Sequence, residues 1–73
     1  MIKVFRTDVE HLQEAERIIR LLSRIYPGSK INFDLEDEDN ILRIEGAFFT
    51  TQDIVCCVGK SGYTCVELPI VWS

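Results

Sequence analysis

Seventy-three residues, 47% of them hydrophobic and 27% charged, are enough for one small folded domain with a thin core and exclude a disordered chain. A net charge of −4 argues against nucleic acid as a partner, because phosphate contacts reward cations, and no apolar run approaches the ~20 residues of a membrane-spanning helix. The three cysteines, Cys56, Cys57 and Cys65, come without a secretory leader pattern, so they are expected to be reduced thiols in a cytoplasmic protein that enters no membrane.

Ile2 and Val4 alternate with Lys3 and Phe5, the period of two that a strand requires. Thr7-x-x-Glu10 fits a capping box, with Asp8 as an alternative cap, and predicts that a helix opens at this turn. Leu12, Ala15, Ile18, Ile19, Leu22 and Ile25 then recur at steps of three and four, which predicts one apolar stripe along the helix. Pro27 cannot continue it, and Gly28 tolerates a left-handed turn.

Ile31, Phe33 and Leu35 alternate with Lys30, Asn32 and Asp34 as a second strand, and residues 36–40 favour a turn. Five carboxylates fall within residues 34–40; without that segment the chain carries almost no net charge. Ile41-Leu42-Arg43-Ile44-Glu45 reads as a third strand, with Leu42 and Ile44 on the buried face, completing an antiparallel hairpin that Gly46 ends. Ala47, Phe48 and Phe49 form an apolar connector expected to pack beneath a second helix. Thr50-x-x-Asp53 opens that helix, Ile54, Val55 and Val58 line it with Cys57 or Ser61, and Gly62 stops it. Residues 63–68 form a fourth strand, Pro69 interrupts it, and Ile70, Val71 and Trp72 make an apolar tail.

This order of elements predicts an α+β fold, a ferredoxin-like βαββαβ sandwich. Its antiparallel four-stranded sheet has the order 4-1-3-2, with two helices on one face. One domain is expected over residues 1–73, with its core in 2–68 and a tail in 69–73. The uncovered sheet face is expected to carry Lys3, Phe5, Asn32, Arg43 and Glu45. One aromatic residue there is too few for RNA recognition by base stacking.

Several of these features together resemble the heavy-metal-associated domain, the small fold of copper chaperones and of the N-terminal modules of transport ATPases. They are Thr7 at the first loop, the Leu12/Ala15/Ile18/Ile19/Leu22 stripe, Pro27-Gly28, Phe33-Asp34-Leu35, and Ser61-Gly62-Tyr63 before the last strand. The resemblance covers nearly the whole chain and implies a metal loop reading Thr-Cys-x-x-Cys. This chain reads Thr7-Asp8-Val9-Glu10-His11 instead. Both thiolates are replaced, and a soft monovalent ion prefers sulfur. Asp8 and His11 are the candidate metal residues for a harder divalent ion such as Zn²⁺ or Ni²⁺. Two ligands are too few for tight binding, so further ones would have to come from Glu10, Glu14 or a second molecule. The alternative is that Asp8 caps the helix and His11 is a solvated side chain.

Catalysis finds little support in this sequence. A single histidine permits no Ser/His/Asp arrangement, Gly59-Lys60-Ser61 lacks the glycine spacing of a phosphate loop, and the acidic hairpin lacks the glycine a calcium loop requires. The sequence therefore predicts a small non-catalytic binding module with no required cofactor. It would act through a protein partner or self-association, with Phe5, Tyr63 and Trp72 as candidate contacts. Metal binding or transfer through Asp8 and His11 is the alternative function.

Overall fold

A computed structural model describes residues 1–69. Its elements run β1 (Ile2–Thr7), α1 (Leu12–Ile25), β2 (Lys30–Asp34), β3 (Ile41–Glu45), α2 (Thr51–Lys60) and β4 (Cys65–Leu68). The sheet order is β2-β3-β1-β4 with every pair antiparallel, which is the expected ferredoxin-like order read from the other edge. Both helices cover one face, α1 over β2 and α2 over β4. Among the described residues no helix is long and apolar enough to cross a membrane.

The register decides which residues meet the helices, because partners directly opposite across a sheet share a face. Phe5 lies opposite Leu42 and Glu67, Lys3 opposite Ile44, and Phe33 opposite Leu42. Phe5, Leu42 and Ile44 are fully buried, and Ala15, Ile18 and Leu22 from α1 close over them with Ile54, Cys57 and Val58 from α2. The expectation that Phe5 lies on the open face as a partner contact is therefore overturned: it is 0% exposed. Strand β1 has apolar residues at both parities, and the ring buries more apolar surface than Ile2 or Val4 would. Ile2, Val4 and Arg6 take the open face instead. Lys3 accompanies Phe5 on the helix side, where its Nζ reaches Glu67 Oε2 at 3.1 Å. The Thr51 hydroxyl donates to the other oxygen of Glu67 at 2.5 Å, and these two bonds hold Glu67 below the usual carboxylate range.

Helix α1 opens at Leu12, later than the capping box predicts. His11 occupies the N-cap in an extended conformation, and no side chain caps the helix. The expected capping groups are engaged elsewhere. The Thr7 hydroxyl donates to the Asn40 carbonyl at 2.6 Å and accepts from the Val9 amide at 3.2 Å, while Asp8 binds the start of the chain leading into β4. Strand β1 consequently runs on to Thr7, and Val9 turns fully into the core. The buried stripe is also narrower than predicted, since Leu12 and Ile25, at the two ends of the helix, are 65% and 50% exposed.

Helix α2 follows its capping and stop signals, but its buried face is Ile54, Cys57 and Val58 alone, since the expected Val55 is 37% exposed. The Thr50 side chain accepts from the Asp53 amide at 3.1 Å, satisfying a donor that the helix leaves free. Gly62, just past the helix, has φ +93°, and Gly28, past α1, has φ +91°. The connector before α2 divides. Phe49 is buried edge-to-face against Tyr26, with ring centroids 6.3 Å apart, whereas Phe48 is 91% exposed, contrary to the expected packing beneath the helix.

Candidate functional site

The corner between β1 and α1 is where the metal pair is predicted. Two strands and the hairpin turn converge there. The Thr7 amide donates to the Asp39 carbonyl at 3.0 Å, and its hydroxyl donates to Asn40. Asp8 Oδ1 accepts from the Thr64 amide at 2.8 Å, so its carboxylate is turned toward β4. His11 is exposed, and its carbonyl accepts the first helical amide, that of Ala15, at 3.0 Å. The two candidates thus have separate local roles, one a tether and the other a backbone cap. Among the described residues no group of three or more histidine, cysteine or carboxylate side chains is placed to hold a metal ion.

The thiols do not add chemistry to this corner. Cys56 is exposed on α2, whereas Cys57 and Cys65 are buried, and all three are free. Burial pushes the Cys65 thiol up to about 11, and the nearby Asp8 carboxylate adds to the shift. Burial also raises Cys57, against the opposing pull of Lys60. Both buried thiols are held in the protonated, poorly nucleophilic form at neutral pH.

The sheet face away from the helices offers a different kind of site. Val4 lies between Arg43 on β3 and Leu68 on β4, and Arg6 lies between Ile41 and Val66. Val66 is 53% exposed and Ile2 36%, while Val4, Ile41 and Leu68 are half-buried although no helix covers them. The result is an apolar band along β1 and β4 with two guanidinium groups set into it. Neither Arg6 nor Arg43 forms an ion pair among the described residues. Toward β2 the face becomes polar, with a shallow depression of about 300 Å³ lined by Ile2, Lys30, Asn32, Arg43 and Glu45.

Of the predicted contact residues, Phe5 is removed by burial and Tyr63 is half-buried with its ring against the core. Trp72 lies outside the described residues. Arg43, Asn32 and Glu45 are on the open face as expected, but Ile2, Val4, Arg6 and Val66 were missed. A signal for them existed in β4, where Val66 and Leu68 alternate with Cys65 and Glu67; pairing Glu67 with Lys3 across the sheet would have fixed the parity of both strands.

Comparison with known proteins found no match to a family model, to a curated protein or to a solved structure.

Proposed function

We propose that this chain is a non-catalytic protein-binding module that works through the helix-free face of its sheet. Its scaffold is similar to that of the heavy-metal-associated domain but has lost the family's thiolates. The observation that carries this reading is the apolar band of Ile2, Val4, Ile41, Val66 and Leu68 on a sheet face that no helix covers, with two guanidinium groups within it that form no ion pair among the described residues. Contiguous exposed apolar surface bounded by polar groups is the usual mark of an interaction site. Arginine is also the cation best suited to an interface, because its planar fork can grip a carboxylate bidentately. The partner this face fits is a protein surface with apolar side chains flanked by Asp or Glu.

Site-specific crosslinking tests the assignment. A benzophenone side chain placed at Val66 in the producing cell is expected to give one dominant adduct, and the same group at Glu16, on the outer side of α1, to give none. Arg6→Glu/Arg43→Glu is expected to weaken the Val66 adduct about tenfold. Equal adducts from both positions would count against the reading. Stoichiometric Zn²⁺ or Ni²⁺ on the purified chain, lost in His11→Ala, would replace it with metal transfer.

A further inference from the structure

The outer surface of the helical layer contains a groove that the sheet-face reading leaves unused. It lies between α1 and α2, has a volume of about 640 Å³, and is lined by Arg17, Arg20, Leu21, Arg24, Lys60 and Ser61. That volume is within the ~300–1,000 Å³ typical of ligand clefts. Four of the eight lysines and arginines of this acidic chain line it. Arg17 pairs with Glu14 one turn away, but Arg20, Arg24 and Lys60 form no ion pair among the described residues. Leu21 gives the groove an apolar floor that continues into a second depression toward Cys56 and Tyr26.

The complementary surface is on the same chain. The turn between β2 and β3 presents Glu36, Asp37, Glu38 and Asp39, all exposed. Its backbone is held by the amides of Glu36 and Asp39, which donate to the side chains of Asp34 and Asp37, and by the Thr7–Asp39 bond. Glu36 and Glu38 have no side-chain hydrogen bond or ion pair among the described residues. No ion pair joins turn and groove within one molecule among the described residues, where the two pairs are Lys3–Glu67 and Arg17–Glu14. Nearly all of the chain's charge surplus resides in this turn, so the isolated molecule has one unbalanced acidic knob and one unbalanced basic cleft.

We propose that the groove between α1 and α2 receives the acidic β2–β3 turn of a second copy of this chain. Each molecule carries donor and acceptor in equal number, so the contact can close reciprocally as a pair or repeat head to tail. Its pairs are solvent-exposed and individually weak, so association rests on several acting together and is screened by salt. The contact uses none of the residues assigned to the sheet face, so the two readings stand or fall separately.

Sedimentation at low and high ionic strength, combined with charge reversal, tests this. Wild type is expected to self-associate in about 20 mM salt and to return to the 8.4 kDa monomer in about 500 mM salt. Arg20→Glu/Arg24→Glu and Glu36→Lys/Glu38→Lys alter exposed positions only and are each expected to weaken self-association at least about tenfold. Mixing the two variants is expected to restore association, because a reversed groove then meets a reversed turn and a native groove meets a native turn. Glu10→Lys/Glu16→Lys changes net charge as much as the turn variant does but leaves both groove and turn intact, and is expected to keep self-associating in low salt as wild type does. Monomer at every concentration in low salt would overturn the proposal. So would failure of the mixture to associate, or loss of self-association in the Glu10→Lys/Glu16→Lys control to the same degree as in the turn variant. Binding of an acidic peptide to the groove without self-association would assign the cleft to a different partner and also overturn it.

Discussion

The molecule contains two strand–helix–strand halves, β1-α1-β2 and β3-α2-β4, that end their helices alike and begin them differently. Each helix is followed by a glycine in the left-handed region, Gly28 or Gly62. Each helix is preceded by a loop that drives one apolar side chain inward, Val9 in the first half and Phe49 in the second. Helix α2, with ten residues, is capped by Thr50, whereas α1, with fourteen, has no side-chain cap. The longer helix is held by packing and by tethers from its preceding loop, and the shorter one also depends on its cap. Local capping is therefore dispensable where tertiary bonds already fix the chain's approach to the helix.

The largest break in this comparison should come from the cores of the two helices. Leu22→Ala and Ile54→Ala each remove a fully buried side chain and are expected to cost about 3 kcal/mol in chemical denaturation. Against the marginal stability of so small a domain, either loss should leave a substantial unfolded fraction. A markedly smaller loss at Ile54 would mean that the second half tolerates collapse around a cavity.

The next effect concerns alkaline pH. The Cys65 thiol rises from an ordinary 9.0 to about 11 on folding, so between these values the unfolded chain gives up a proton that the folded chain retains. The stability this contributes is fully present below pH 9 and declines as pH rises toward 11, by up to about 2 kcal/mol. Denaturation midpoints measured across that window should fall in wild type and fall less in Cys65→Ala. At pH 8, iodoacetamide should modify exposed Cys56 in preference to the two buried thiols, as read by mass spectrometry.

Smaller effects separate the helix openings. Thr50→Ala and Asp8→Ala each leave one backbone amide without its side-chain acceptor and are expected to cost about 1 kcal/mol. His11→Asp supplies the cap that α1 lacks and is expected to stabilise by about 0.5 kcal/mol, while His11→Ala stays within about 0.5 kcal/mol of wild type. A loss of more than 1 kcal/mol in His11→Ala would show a tertiary role for the imidazole.

The element order, the sheet order, the α2 cap and both helix stops were legible because they depend on local signals: periodicity, turn residues and capping spacing. The start of α1 was not, because the hydroxyl of Thr7 and the carboxylate of Asp8 are equally able to cap a helix or to bond across the fold. Only the arrival of Asn40 and Thr64 decides between these uses. The face of β1 was ambiguous for a related reason. A strand with Ile2, Val4 and Phe5 has apolar residues at both parities, and the choice follows from its neighbours' registers. The candidate site inherited that error in β1 alone, where Ile2 and Val4 lie on the parity first assigned to the core.

The tether from Asp8 to Thr64 joins positions 56 apart in sequence. On the proposed likeness to the heavy-metal-associated domain, it would also occupy the place of a sulfur ligand. Grafting a chelating dithiol into this loop at Asp8 would trade away a long-range clasp, and an apo form of such a design should fray where β4 begins. Here the acquisition of a cargo site and the integrity of the fold compete for one side chain.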